Sequence, residues 1–136
     1  DSTVHVSQAL LPHLLERKTG VVINVASVAG LRGAPMMSHY AAAKAAVISL
    51  TQSLALETAW AGIRVNALVP GWIETDLTDF LREGEGTDTA LLSRVAMARW
   101  GRVEEIADPA VFLASDASSF MTGQVLVVDG GLSAMP

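Results

Sequence analysis

The chain predicts an α/β fold built on a parallel sheet, and three observations carry that prediction. Three short runs rich in β-branched residues, at 21–25, 63–69 and 124–128, have the length and composition of strands. Each is preceded by a helical stretch, so the order along the chain is α-β-α-β-α-β. The first run, Val21 to Val25, is dominated by consecutive β-branched residues rather than alternating, which is the pattern of a parallel strand covered on both faces.

Each element has its own local cause. Residues 3–17 read as a helix with Val4, Leu11, Leu14 and Leu15 near one face, Ser2 as its N-cap and Pro12 expected to kink it. Gly20 breaks the chain before the first strand. Residues 38–60 form the strongest helix, rich in Ala and Leu and free of internal Gly and Pro. Ala42, Ala45, Ala46, Val47, Leu50, Leu54 and Leu56 make it apolar nearly all round, so it should meet the sheet on one side and another subunit on the other. Gly62 ends it. The second strand stops at Pro70-Gly71. Residues 74–100 are a polar excursion with a short helix expected near 90–97. Residues 104–115 are helical, with Pro109 placed near the first turn, where proline is best tolerated. The third strand runs into the turn Asp129-Gly130-Gly131.

Composition narrows the function. Of 136 residues, 51% are hydrophobic and 17% charged, enough to bury a core and too apolar for disorder. A net charge of −5 argues against nucleic acid, which needs a basic face. With no cysteine, disulfides, thiolate zinc sites and cysteine nucleophiles are excluded, and a reducing cytoplasm fits. His5, His13 and His39 lack metal-ligand spacing, so no metal is expected; His5 and His13 read as helix-surface residues and His39 as a neighbour of the site. No apolar run reaches the roughly 18 residues of a membrane span, because Lys44 interrupts 41–50, and no signal peptide is read. The first residue is Asp1, which points to processing or to part of a longer chain.

Chemistry concentrates at the start of the long helix. Tyr40 and Lys44 are four apart and share a helix face. A free tyrosine titrates near 10; a neighbouring ammonium and the helix N-terminus both favour the phenolate. A shift of about 3 units corresponds to roughly 4 kcal/mol. Ser27 follows the first strand at its C-terminal end, the edge at which open α/β sheets bind ligands, so a hydroxyl, a phenol and an ammonium converge there.

Several ordered stretches resemble the short-chain dehydrogenase/reductase family. They are Ile23-Asn24-Val25-Ala26-Ser27-Val28-Ala29-Gly30, then Tyr40-Ala41-Ala42-Ala43-Lys44 with Ser27 thirteen positions ahead of Tyr40. Arg64-Val65-Asn66-Ala67-Leu68-Val69-Pro70-Gly71, Trp100-Gly101-Arg102-Val103-Glu104-Glu105-Ile106-Ala107 and Thr122-Gly123-Gln124 through Gly131 follow in order. The likeness covers essentially the whole chain and is nearest to the branch of 3-oxoacyl-acyl-carrier-protein reductases and sugar or steroid dehydrogenases.

The resemblance implies a Rossmann-like doubly wound parallel sheet, of which residues 1–136 would be the C-terminal catalytic portion. It implies an NAD(P)-dependent oxidoreductase acting on a small carbonyl/alcohol substrate. Tyr40 would be the general acid/base, Lys44 would hold the nicotinamide ribose and Ser27 would orient the substrate oxygen. Pro70, Gly71, Ile73 and Thr75 would join Tyr40 and Lys44 in contacting NAD or NADP. A homodimer or homotetramer through helix 38–60 is expected. The family's phosphate-binding glycine motif and catalytic asparagine are absent, which implies roughly 100 upstream residues. The alternative is an inactive fragment serving as an oligomerisation or binding module. Gly84-Glu85-Gly86 reads as part of a mobile flap, and Leu77, Phe80, Leu81, Leu91 and Leu92 hint at a partly apolar substrate.

Overall fold

The computed structural model describes residues 2–82 and 87–135. Its elements are α1 (Ser2–Arg17), β1 (Gly20–Val25), α2 (Ser38–Thr58), β2 (Ile63–Pro70), α3 (Asp79–Arg82), α4 (Thr87–Leu92), α5 (Glu104–Ala114) and β3 (Val125–Val128). The strands form one parallel sheet in the order β1-β2-β3, with Gly20 opposite Ile63 and Ala67 opposite Val125. The expected parallel α/β architecture is therefore present.

The register explains the layers. Ile63 and Val65 of β2 pack with Leu54 and Ala55 of α2, and Leu11, Leu14 and Leu15 of α1 close the same cluster with Val22 of β1. The alternate β2 residue Arg64 points to the other face. There its guanidinium donates to the carbonyls of Leu113 (2.9 Å) and Ser115 (3.0 Å) and to the Ser118 hydroxyl (3.0 Å). So α1 and α2 cover one face, and the C-terminal end of α5 covers the other.

Central β2 is buried along most of its length, as a strand covered on both faces should be. β1 departs from that expectation. Val21 and Val25 are exposed on the α5 side, and among the described residues no strand pairs with the outer edge of β1. A groove of about 560 Å³ runs there between β1 and α1, lined by Val6, Leu10, Leu14, Val21 and Val25 among others.

Several boundaries differ from expectation for local reasons. Ser2 is the first helical residue rather than a cap, and α1 runs as one helix through exposed Pro12. α2 gives way at Thr58 to a 3₁₀ turn, Ala59–Ala61, which Gly62 ends in the left-handed conformation (φ 73°). The short helix expected near 90–97 lies at Thr87–Leu92 instead. Past Leu92 the chain tightens into i→i+3 turns, Arg94 N–H to Leu91 and Val95 N–H to Leu92, and Val95 is buried. Pro109 lies inside α5, just past its first turn. Short α3 was not anticipated. His5 and His13 are exposed on α1. Among the described residues no helix is long and apolar enough to cross a membrane, and no acidic, His or Cys cluster could hold a metal.

Candidate active site

Ser27, Pro70, Gly71, Ile73 and Thr75 lie at the C-terminal ends of β1 and β2 or in the turns that leave them, and Tyr40 and Lys44 lie in the first two turns of α2. β1 ends at Val25, and Ala26 N–H still donates to Leu68 O at 2.9 Å, so the chain holds to the sheet up to Ser27. Ser27 is extended (φ −167°) and caps a 3₁₀ turn, Val28–Gly30, its Oγ accepting from Ala29 N–H at 3.2 Å. That bond uses a lone pair of the hydroxyl, so the O–H itself remains a donor.

The turn is then pressed onto α2. A Cβ on Gly30 would stand 2.7 Å from the Lys44 carbonyl carbon and 2.8 Å from Ala45 N. Only hydrogen fits between the two backbones, so the turn that follows Ser27 rests directly on the helical turn that carries Lys44. A second tie lies deeper. Buried Asn24 of β1 donates through Nδ2 to Thr51 Oγ1 at 2.9 Å, and Thr51 donates to Val47 O at 2.8 Å. Both side chains are thus satisfied in the interior, and α2 is fixed against β1.

Lys44 reaches across this junction. Its Nζ donates to Val25 O at 3.0 Å and lies 5.8 Å from the centre of the Tyr40 ring. The ammonium is therefore held between the end of β1 and the phenol, with two further N–H groups to offer. Tyr40 and Lys44 are half-buried, while His39 is exposed.

The remaining candidates leave the end of β2. Gly71 N–H donates to Val128 O at 3.0 Å, and a Cβ there would meet Asp129 Cα at 2.7 Å. Close approach of the β3 turn thus explains glycine at 71. Ile73 bridges to Gly101, with Gly101 N–H on Trp72 O and Glu74 N–H on Gly101 O, both at 2.9 Å. Thr75 is exposed. Its N–H donates to Thr78 Oγ1 at 3.0 Å, and Thr78 in turn donates to Ile73 O at 2.7 Å. Pro70, Gly71, Ile73 and Thr75 therefore form one continuous segment beyond the sheet edge, with Thr75 farthest out. Gly84-Glu85-Gly86 lies outside the described residues.

Two of the nearby carboxylates, Asp129 and Glu105, are held by partners. Burial opposes ionisation of Asp129, but hydrogen bonds from Ser133 and from Gly131 N–H outweigh it and hold the carboxyl below its ordinary value. Glu105 is held at about 2, first by the hydrogen bond from Arg99 and then by Arg102 N–H. Asp88 of α4 accepts from the indole N–H of Trp100, whose ring meets Trp72 edge-on with centres 5.8 Å apart. A small hollow lined by Ile73, Met97, Arg99 and Asp129 lies beside the β3 turn, away from Tyr40.

The sequence singles out Ser27, Tyr40 and Lys44 but does not reveal what positions them. Gly30 belongs to a sequence motif, but its role follows from contact with a helix turn fourteen residues on. Asn24 and Thr51 are two polar residues on apolar elements, a signal that could have been read as a buried pair.

The sequence profile of the enoyl-(acyl carrier protein) reductase family matches residues 1–133. The 3-oxoacyl-[acyl-carrier-protein] reductase of Thermotoga maritima is 47% identical over 128 residues, 94% of this chain and 51% of that protein. The 5-keto-D-gluconate 5-reductase of Escherichia coli is 43% identical over 127 residues, 93% of this chain and 50% of that protein. A crystal structure of a gluconate 5-dehydrogenase from Burkholderia cenocepacia, in complex with NADP and tartrate, superposes with a TM-score of 0.93 at 40% identity, covering 96% of this chain and 51% of that one. The chain spans about half the length of the curated relatives it matches.

Proposed function

The chain belongs to the short-chain dehydrogenase/reductase family, and from that premise we propose that it is the catalytic portion of an NAD- or NADP-dependent oxidoreductase acting on a carbonyl/secondary alcohol pair. The observation that carries the reading is Lys44, held between Val25 O and the Tyr40 ring at the edge where Ser27 emerges.

The donor set suits a nicotinamide nucleoside. Lys44 has two N–H groups left after Val25, and the Pro70-to-Thr75 segment lies along the same edge. Lys44, with Tyr40, would hold the ribose hydroxyls, while Pro70, Gly71, Ile73 and Thr75 would flank the carboxamide side. When bound, the nicotinamide supplies or accepts the hydride.

The chain's own residues then manage one proton and one developing charge. In reduction, Tyr40 Oη gives its proton to the substrate oxygen as the carbon is reduced; in oxidation it takes that proton back. Ser27 O–H donates to the same oxygen and fixes its position, while its Oγ stays tied to Ala29 N–H. Lys44 supports negative charge on the phenol oxygen when the proton has left. Because Lys44 is anchored by a backbone carbonyl rather than a carboxylate, its full positive charge faces the phenol.

The test is Tyr40→Phe in the full-length protein, which keeps the ring and removes the proton. Turnover should fall by about 10²-fold or more, with the circular dichroism spectrum and nicotinamide binding retained. Activity within a factor of two of wild type would sink the assignment.

The outward face of α2 supports a second reading, which concerns assembly. Ala42, Ala45, Ala46 and Leu56 are exposed along one helix face, interleaved with Ser49, Gln52 and Ser53, and a homodimer or homotetramer would cover that small-residue face. Light scattering on the full-length protein, with Ala46→Arg as the variant, tests it: wild type should be a dimer or tetramer and the variant should dissociate. Full Tyr40-independent function together with self-association would leave assembly as the role of this chain.

A further inference from the structure

Ser27 stands on a short loop with two supports, and α2 is only one of them. Residues 27–32 form a single piece: Gly30 N–H donates to Ser27 O at 2.9 Å, and the N–H groups of Leu31 and Arg32 donate to Val28 O at 2.9 and 3.0 Å. Gly30 presses this piece onto α2. The residues on either side of Ser27, Ala26 and Val28, are buried in one cluster with Val47 and Ile48 of α2 and Val69 of β2. Ser27 itself is half-buried, so the aim of its hydroxyl follows from where that cluster holds its two neighbours.

The second support comes from the chain that leaves β3. Leu132 packs against the same cluster. Asp129 brings it there: its carboxylate oxygens accept from Gly131 N–H at 2.9 Å and Ser133 N–H at 2.7 Å, and its carbonyl accepts from Leu132 N–H at 3.2 Å. The chain winds on, with Ala134 N–H on Gly131 O at 3.2 Å, and reaches the Ser27 loop, where Arg32 Nη1 donates to Met135 O at 2.8 Å. By itself, one solvent-exposed hydrogen bond stabilises little. This one joins two segments already fixed nearby, at Leu132 and at Val28, so little chain entropy opposes it. The base of the turn is tied down as well, by Met97 N–H on Gly130 O and Gly71 N–H on Val128 O, both at 3.0 Å.

We infer that residues 129–135 form a clasp on the loop of Ser27, and that Arg32 and Leu132 are positioning residues for hydride transfer that act through Ser27. The inference rests on the reading above, in which Ser27 O–H holds the substrate oxygen. Leu132 supports the cluster on which Ala26 and Val28 rest, and Arg32 keeps the far end of the loop from swinging away. Tyr40 and Lys44 keep their places without the clasp, because α2 is fixed to β1 through Asn24 and Thr51 and Lys44 is anchored on Val25 O. Opening the clasp therefore slows the step that needs the hydroxyl and leaves cofactor binding in place.

The experiment measures kcat, KM and cofactor affinity of the full-length protein with NADPH and NADH, using 5-keto-D-gluconate and the 3-oxobutanoyl thioester of N-acetylcysteamine as ketones. Leu132→Ala and Arg32→Ala should each lower kcat about five- to tenfold, with the dissociation constant of the reduced cofactor within about twofold of wild type. Arg32→Lys keeps a donor for the single Met135 acceptor and should recover kcat to within about twofold of wild type. Arg32 is exposed, so its variants fold whether or not Leu132→Ala does. The deciding variant combines Arg32→Ala with Ser27→Ala. On a chain that lacks the hydroxyl, the Arg32 substitution should change kcat by less than about twofold, whereas the effects of independent sites multiply. Wild-type kcat in both single variants, equal losses in Arg32→Ala and Arg32→Lys, or an undiminished Arg32 effect in the Ser27→Ala background overturns the clasp while leaving hydride transfer standing. A wild-type rate in Ser27→Ala overturns the role given to Ser27, and this inference with it. Failure of the wild type to oxidise either cofactor with either ketone overturns the hydride-transfer reading itself.

Discussion

Gly30→Ala isolates the contact that sets the spacing of Ser27, Tyr40 and Lys44. The added methyl would stand 2.7 Å from the Lys44 carbonyl carbon, 2.8 Å from Ala45 N and 2.9 Å from Lys44 O. Carbon contacts are comfortable from about 3.5 Å, so the 3₁₀ turn and α2 must separate by roughly 0.8 Å. All three atoms are backbone, and none can rotate aside as the end of a side chain would. Gly30 is not among the residues with positive φ, so the cost is steric rather than torsional. Overpacking of this kind costs about 1–3 kcal/mol. The same displacement moves Lys44 away from Val25 O and Ser27, and misplacements near 1 Å cost on the order of 10²-fold in rate. In the full-length protein, kcat should therefore drop roughly 10- to 100-fold, and the thermal midpoint should fall by several degrees. Steady-state kinetics and calorimetric melting measure the two effects. A variant with kcat within about twofold of wild type and an unmoved midpoint would refute the claim that this contact positions the site.

Three further expectations follow from other contacts. Thr51→Val removes the Thr51 acceptor of buried Asn24 Nδ2 and should cost about 1–3 kcal/mol in urea unfolding, with Asn24→Val added on top restoring part of the loss; an unchanged midpoint in the single variant would contradict it. Arg64→Lys should destabilise by roughly 2–3 kcal/mol, because one ammonium cannot span the Leu113, Ser115 and Ser118 acceptors that the guanidinium fork joins; full stability in thermal unfolding would count against that fork. Glu105 lies at about 2 in the folded chain against an ordinary 4.5, so its pairing with Arg99 contributes fully above pH 4.5 and is lost as pH falls toward 2. Denaturant titrations at successive pH values should show that slope in wild type, and Glu105→Gln should flatten it.

How much of this was legible in the sequence follows from what each feature depends on. The strands and α2 were readable because their periodicity and their breakers, Gly20, Gly62 and Pro70-Gly71, act locally. Ser27, Tyr40 and Lys44 were readable as a set from ordered motifs. The helices between β2 and α5 were not, since the stretch has weak periodicity and its shape is set by distant partners: Trp100 for Asp88, and Gly130 for Val95 and Met97. The anchor of Lys44 was equally hidden, because Val25 O is a backbone atom and no side chain announces it. The partly open face of β1 also escaped notice, since an apolar run looks the same whether one face or both are covered.

The parallel order β1-β2-β3 has a kinetic consequence. Each strand meets its neighbour only after an intervening helix has been made, with paired residues roughly 40 to 60 positions apart. No hairpin exists among these strands to start the sheet, so the search must close long loops before any ladder bond rewards it. Docking of α2 on β2, through Leu54 and Ala55 against Ile63 and Val65, closes a far shorter loop than any strand pairing does. That corner would act as the nucleus, and the edge carrying Ser27 at the far end of the same strands would be among the last parts to settle.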